Sequence, residues 1–185
     1  MSSNEKTELF NTIRKLQDVI PKSSRQKSDL FNIKEGSFLE YNNKTFFVKD
    51  SINYQERKKD KVVDSWGECE AICLEEGGKT YFIEVEEDDG LKVYFSHTIL
   101  KLRDLNIKKS DLDSIVDEEE SVFYNKKEFY YEDDYKAYIN DSDEKVYFVD
   151  FEDEYGNYLT IGKYEEGETR AYISSLISNI EVISL

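Results

Sequence analysis

Apolar and polar residues alternate over most of the chain after residue 31, the period of strands that bury one face. In the first half this pattern predicts strands over residues 37–41, 45–51, 65–74, 80–86, 91–95 and 98–102. Polar turns separate them, among them Asn42-Asn43 and Gly77-Gly78, which are typical of tight hairpins. The polar segment 55–64 is predicted to be a solvated loop. The first half is therefore predicted to be antiparallel.

The hairpin sequence Tyr41-Asn42-Asn43-Lys44-Thr45-Phe46-Phe47 recurs in the second half of the chain as Tyr124-Asn125-Lys126-Lys127-Glu128-Phe129-Tyr130. Strands predicted in the second half follow the same order, over 121–124, 128–132, 146–152, 156–164, 169–174 and 177–185. The second copy is shorter by about six residues, a loss that fits the region of the 55–64 loop. We therefore expect a mainly β fold of two tandem related antiparallel units, small barrel or sandwich-like.

Two helices are predicted outside the strands. An N-terminal amphipathic helix over about 4–20 has one apolar stripe and ends at Pro21. Its stripe is expected to pack on the β units, to form a homodimer or to contact another protein. A short linking helix, with Ser110 as its cap, carries Leu112, Ile115 and Val116.

These elements divide the chain into four parts. Residues 1–30 form the N-terminal helix and linker, and 31–103 the first β unit. Residues 104–120 form the connector with the short helix, and 121–185 a strongly acidic second β unit.

Composition adds a strong charge asymmetry. The net charge is -16, and residues 104–185 carry 22 acidic against eight basic residues. Such a surface repels nucleic acid and anionic headgroups and favours basic partners, so no direct nucleic-acid binding is expected. The 14% aromatic content argues against disorder. No signal peptide or transmembrane segment is evident, which predicts a cytoplasmic protein.

Candidate catalytic and metal chemistry is sparse. The single histidine, His97, has no nucleophile motif beside it, and Cys69 and Cys73 are predicted to be reduced, buried thiols on one strand. Acidic turns at 86–89, 140–144 and 150–154 are candidates for calcium or simply solvated turns, and the pattern around Asp150 lacks the glycine at the sixth position of a calcium loop. We therefore assign no catalytic, cofactor-binding or metal-binding residues and expect a protein that is not an enzyme.

Positions where the two halves differ are the candidate partner-binding residues. They are the basic cluster, the single tryptophan and the acidic residues of the second unit: Arg57, Lys58, Lys59, Trp66, Asp150, Glu152 and Glu154.

The order of several short motifs resembles the bacterial domain-of-unknown-function family 4178. In the first half these are Gly36, Tyr41-Asn42-Asn43-Lys44 with Phe46 and Val48, Trp66-Gly67-Glu68, Gly77 with Tyr81-Phe82, and Asp89-Gly90. In the second half they are Asp150-Phe151-Glu152 and Gly156-Asn157-Tyr158-Leu159. The resemblance leaves out the N-terminal helix and implies no activity. Members look like small soluble proteins encoded near membrane-stress and polyamine genes, which implies a role in a multi-protein system.

Three functions follow as hypotheses. The first is a non-enzymatic β-rich module that binds a protein partner in such a system. The second is an acidic DNA mimic or inhibitor of a basic nucleic-acid-binding protein. The third is a cation or polyamine sensor.

Overall fold

The computed structural model describes residues 11, 26–27, 30, 33–59, 61–87, 90–165, 167–178 and 180–184. The N-terminal helix predicted over 4–20 lies outside the described residues, apart from Asn11, which is helical. Within the described part of the chain, no helix has the length and apolar character needed to span a membrane.

The described chain is mainly β, as predicted. Its strands are β1 (Gln26–Lys27), β2 (Phe38–Tyr41), β3 (Lys44–Lys58), β4 (Lys61–Cys73), β5 (Lys79–Glu87), β6 (Leu91–Leu100), β7 (Val122–Tyr124), β8 (Lys127–Ile139), β9 (Lys145–Glu152), β10 (Asn157–Tyr164), β11 (Thr169–Ile177) and β12 (Glu181–Ser184). Between β6 and β7 lie 3₁₀ turns at Leu102–Leu105 and Lys109–Asp111 and the helix α1 (Leu112–Asp117).

All strands belong to one antiparallel sheet with the order β1-β12-β2-β3-β4-β5-β6-β11-β10-β9-β8-β7. A further pairing joins β3 to β8, where residues 54–56 meet residues 137–139. The ladder therefore runs through eight strands, from β3 through β6 to β11 and back to β8, and closes on itself. The two halves are continuous through both of these junctions rather than separate.

A β-bulge lies at matching places in the two long strands that meet at the closing pair. In β3 the register shifts between Val48 and Asp50, and in β8 it shifts between Tyr131 and Asp133, 83 residues later in each case, the offset between the two hairpin sequences. A bulge adds one residue and so turns the following side chains to the other face of the sheet. Each long strand therefore contributes its first part to one apolar core and its second part to the shared face.

Three larger clusters of buried side chains result, beside a small one formed by Phe38 and Leu74. The first lies in the first half, around Phe46 and Ile83, and the second in the second half, around Phe151 and Ile161. The third cluster is shared by both halves, and its buried members are Tyr54, Trp66, Ala137, Val146, Phe148 and Tyr164. The shared cluster fixes the two halves together at the closing pair of strands.

Several predicted element boundaries were wrong. The loop predicted over 55–64 is instead the end of a long hairpin, because β3 continues to Lys58 and β4 begins at Lys61. The strands predicted at 91–95 and 98–102 are the single strand β6. The predicted final strand, 177–185, is divided, since Ile177 ends β11 and β12 pairs with β2 of the first half.

The linking helix is present over Leu112–Asp117, but its N-cap is Asp111 rather than the predicted Ser110. Leu112 and Ile115 are buried in the second cluster. The helix therefore packs on the second half through the same apolar residues from which it was predicted.

The difference in length between the two halves is also spread more widely than predicted. Phe47 pairs with Ile72, whereas its counterpart Tyr130 pairs with Glu152, so the hairpin that contains the basic segment is the longer of the two. The β9–β10 hairpin is also shorter than β4–β5, and the β10–β11 hairpin is shorter than β5–β6. Only part of the difference therefore lies at the basic segment.

Candidate functional site

A cavity of about 300 Å³ lies within the ring of eight strands, each of which contributes to its wall. Its lining is dominated by carboxylates and aromatic rings: Glu56, Asp64, Trp66, Glu84, Glu86, Tyr94, Glu132, Asp133, Tyr135, Asp150, Glu152, Tyr158, Thr160 and Ser174. Among the described residues, no lysine or arginine side chain is part of this lining. We call it the acidic cavity.

Strand alternation places the acids in the cavity. On β5, Ile83 and Val85 are buried in the first apolar cluster, so the intervening Glu84 and Glu86 point to the opposite face. On β9, Val149 and Phe151 enter the second cluster, so Asp150 and Glu152 face the cavity. The apolar cores thus orient the carboxylates.

Glu84 and Asp150 form the deepest acidic part, which we call the inner tier. Both keep partial contact with the cavity but are otherwise surrounded by protein. Burial, with the charges of Glu68, Asp150 and Glu86, raises the pKa of Glu84 well above its ordinary value. Burial also raises the pKa of Asp150 to about 6, although Thr160 donates a hydrogen bond to it at 2.6 Å. Ionising either carboxyl group of the inner tier therefore costs more free energy than ionising it in water.

Glu86 and Glu152 lie two residues further along the same strands and form the outer tier. Glu86 accepts a hydrogen bond from Tyr94 at 3.0 Å and lies 3.5 Å from the Lys92 ammonium. Glu56, also at the outer part, is paired with Lys58 at 3.0 Å. Within the described chain, the two tiers contain no other ion pair to a lysine or arginine. Three of the four tier carboxylates, those of Glu84, Asp150 and Glu152, thus have no lysine or arginine partner within the described chain.

Aromatic rings complete the wall. Trp66 packs against Tyr135 with ring centroids 5.6 Å apart, and Tyr94 packs edge-on against Tyr158 at 5.3 Å. The faces of such rings carry negative electrostatic potential and attract cations. The wall therefore combines apolar area with a second source of attraction for positive charge.

A buried network continues beneath the inner tier. The Tyr172 hydroxyl donates to Glu68 at 2.8 Å and lies 3.5 Å from Glu84. Glu68 is almost fully buried, and burial raises its pKa despite this bond and the nearby Arg170 guanidinium. The hydroxyl of Tyr172 therefore connects the cavity floor with a second buried carboxylate.

Arg170 occupies the opposite end of the ring. Its guanidinium lies 4.0 Å from Glu68 and stands over the rings of Tyr164 and Phe82, at 4.7 and 5.9 Å from their centroids. In the strand register Gly162 pairs with Arg170, just as Glu84 pairs with Tyr94 in the first half. Gln55 also pairs with Tyr138, which lies 83 residues later, the same offset as between the two hairpin sequences. One end holds its own cation, and the other is the acidic cavity.

The structure brings three of the predicted site residues together, because Trp66, Asp150 and Glu152 all line the cavity. Glu154 is exposed in the turn after β9 and is not part of the lining.

The predicted basic cluster lies at the end of the β3–β4 hairpin. Arg57 is paired with Asp143 at 2.9 Å and lies over the ring of Tyr138, while Lys58 is paired with Glu56. Lys59 is exposed in the turn with a positive φ of 52°. Two of the three cations are therefore engaged within the protein.

Sequence reasoning missed most of the cavity, including Glu84, Tyr94, Tyr135 and Tyr158. A signal was present, since Glu84 and Glu86 alternate with Ile83 and Val85 on β5. That alternation is the same whether the polar face meets solvent or a cavity. Only the closing pair of β3 and β8 distinguishes the two cases.

The other candidate chemistry is not gathered at one place. His97 is exposed and lies 3.0 Å from the Thr98 hydroxyl. Cys69 and Cys73 are free and buried, as predicted. Among the described histidines, cysteines and carboxylates, no group of three has the arrangement of a metal site.

Comparison with known proteins places the chain in a family. A family model described as a domain of unknown function, DUF4178, matches residues 34–179. The chain belongs to this family, as its motif order predicted. No curated protein and no solved structure matches it.

Proposed function

We propose that the protein is a non-enzymatic receptor for a small positively charged ligand, which binds in the acidic cavity. The observation that carries this proposal is a cavity lined by eight carboxylates and four aromatic rings, with no cationic side chain in its lining among the described residues. It develops the hypothesis of a cation or polyamine sensor.

Electrostatics supports the direction of charge. A cleft lined by carboxylates in low-dielectric surroundings concentrates negative potential and raises the local concentration of cations. The raised pKa values of Glu84 and Asp150 mean that ionisation there costs free energy. A bound cation would offset that cost, because an opposite charge stabilises the ionised carboxylate.

The experiment is isothermal titration of the purified protein with a panel of cations at pH 7.5 and low ionic strength. The panel contains guanidinium, alkylamines, Mg²⁺ and Ca²⁺. We expect saturable binding of at least one cation, lost in Glu84→Gln/Asp150→Asn. The control Asp117→Asn/Glu118→Gln removes the same charge from exposed residues at the end of α1 and should bind normally. Flat titrations for every cation would disprove the proposal.

A second candidate function is binding of a protein partner, the first of the hypotheses from the sequence. It is favoured by two aromatic residues on the neighbouring strands β7 and β8, Phe123 and Tyr130, each more than half exposed. Phe123 is paired across the strands with Glu128, to which the Tyr130 hydroxyl donates at 3.2 Å. Clustered exposed aromatics are typical of protein interfaces.

Affinity purification from the native host tests this candidate. A partner identified with the wild type should be lost with Phe123→Ser/Tyr130→Ser and kept with the cavity variant Glu84→Gln/Asp150→Asn. Equal recovery with the wild type and the surface variant would reject this surface.

We also infer that the two halves arose by duplication of one β unit. The bulges at equivalent positions of β3 and β8 and the pairing of Gln55 with its counterpart Tyr138 support this inference. On this account the acidic cavity and the Arg170 end are two forms of one ancestral site.

A further inference from the structure

We propose that the ligand of the acidic cavity is a linear organic diamine or polyamine, with one ammonium on the inner tier and the next on the outer tier. This inference rests on the proposed function and names the chemical class of its ligand. It assigns Glu84 and Asp150 to the first ammonium and Glu86 and Glu152 to the second.

The distance between the two tiers determines the length of ligand that would fit them. Glu84 and Glu86 are two residues apart on β5, as are Asp150 and Glu152 on β9. At a rise of about 3.4 Å per residue, the tiers lie roughly 7 Å apart along the strands. An extended chain of four methylene groups holds its two terminal nitrogens roughly 6 Å apart, given C–C and C–N bonds of about 1.5 Å. A four-carbon diamine therefore matches the two tiers.

The aromatic rings of the cavity wall favour an organic ligand over a metal ion. Tyr94 donates a hydrogen bond to the outer-tier Glu86, and its ring packs against Tyr158. Trp66 lies opposite Glu86 across β4 and β5. These rings give apolar contact area between the two tiers, which methylene groups use and a hydrated metal ion does not.

The opposite end of the ring provides a second, independent observation. There the guanidinium of Arg170 pairs with exposed Glu168 at 3.1 Å and lies 4.0 Å from the buried carboxylate of Glu68. It also stands over the rings of Tyr164 and Phe82. A guanidinium on a flexible aliphatic chain is an organic cation of the same general design as an alkylammonium. At the Arg170 end of the ring, carboxylates and aromatic rings thus already surround an organic cation of the protein itself.

Chain length and charge number are the variables to test. Isothermal titration would compare 1,2-diaminoethane, 1,4-diaminobutane, 1,8-diaminooctane, butylamine and Ca²⁺. The variants are Glu84→Gln/Asp150→Asn for the inner tier, Glu86→Gln/Glu152→Gln for the outer tier, and the exposed-charge control Asp117→Asn/Glu118→Gln. Thermal unfolding of each variant checks that it is folded.

We expect 1,4-diaminobutane to bind most tightly of the three diamines, and each tier variant to weaken it by about tenfold or more. Butylamine has one charge, so the outer-tier variant should leave its binding unchanged while the inner-tier variant weakens it. Tyr158→Leu should weaken the diamine, whereas the exposed control Tyr155→Leu should not.

Two results overturn the inference. If Ca²⁺ binds in the cavity and no diamine does, or if affinity is independent of diamine length, the ligand class is wrong while the cation-binding proposal stands. If no cation binds at all, both fail together.

Discussion

Two aspartates three residues apart on β9 and the turn after it should respond to neutralisation in opposite ways. Asp150 lies in the cavity, where burial raises its pKa from an ordinary 3.8 to about 6. Burial also acts to raise the pKa of Asp153, but backbone and side-chain hydrogen bonds from Asn157 outweigh it, with further help from Tyr155 and Lys127. The pKa of Asp153 is therefore lowered. We predict that Asp150→Asn stabilises the protein at neutral pH and that Asp153→Asn destabilises it.

The magnitudes follow from linkage between protonation and folding. Between pH 3.8 and about 6 the folded protein holds the Asp150 proton that the unfolded chain has released, so stability falls as the pH rises through this window. Above it the full penalty remains, about 3 kcal/mol for a shift of roughly two units. Asparagine carries no charge and can still accept the Thr160 hydrogen bond, so Asp150→Asn should gain about 1–3 kcal/mol at pH 7.5 and almost nothing at pH 4.

The sign is reversed for Asp153. Its lowered pKa contributes stability that is present above the ordinary pKa and lost as the pH falls through the folded value. Asp153→Asn weakens charge-assisted hydrogen bonds in a buried turn, and we expect a loss of about 2 kcal/mol at pH 7.5 that shrinks in acid.

Urea unfolding at several pH values from 4 to 7.5 would measure both variants against the wild type. For a chain of this length, 1 kcal/mol corresponds to a shift of about 2–4 °C in melting temperature, which gives a second readout. The reasoning is refuted if Asp150→Asn destabilises the protein at pH 7.5, or if its effect does not change with pH.

Three other substitutions or treatments test single features of the fold. Tyr172→Phe removes the hydroxyl that donates to buried Glu68 at 2.8 Å, and should lower the free energy of unfolding by about 1–3 kcal/mol in urea titrations; no change would show that the bond contributes nothing. Gly162→Val places a Cβ 3.1 Å from the Phe148 ring in the shared cluster, so thermal unfolding should show a loss of about 1–3 kcal/mol, and an unchanged melting temperature would contradict that packing. Burial and the charge of Glu68 raise the pKa of the Cys69 thiol to about 12, so alkylation followed by mass spectrometry should modify it only under unfolding conditions, and rapid modification of the folded protein would argue against this burial.

Much of the strand pattern could be predicted because one face of each strand is packed in an apolar core. Cys69, Ala71 and Cys73 alternate with polar residues on β4 and are all buried, as their spacing indicated. The repeated Tyr-Asn hairpin likewise marked β2–β3 and β7–β8, whose turn residues Asn42 and Asn125 have positive φ. Local spacing and turn chemistry are sufficient for these features.

The cavity could not be predicted in the same way, because it depends on contacts between distant parts of the chain. The bulges at 48–50 and 131–133 change which face of β3 and β8 is buried, and nothing in the local alternation marks them. Glu84 of the first half and Asp150 of the second half then both face the cavity between the halves rather than bulk solvent. Without this long-range information, the alternation does not distinguish a polar strand face that meets solvent from one that lines a cavity.

Fluorescence of the single tryptophan tests the central proposal most directly, because Trp66 lies in the wall of the acidic cavity. The measurement is a titration of the protein with 1,4-diaminobutane at pH 7.5, followed by tryptophan emission. We predict a saturable change in the wild type and in Asp117→Asn/Glu118→Gln, and none over the same range in Glu84→Gln/Asp150→Asn. A saturable change of equal affinity in the cavity variant would place the cation elsewhere and contradict the proposed site.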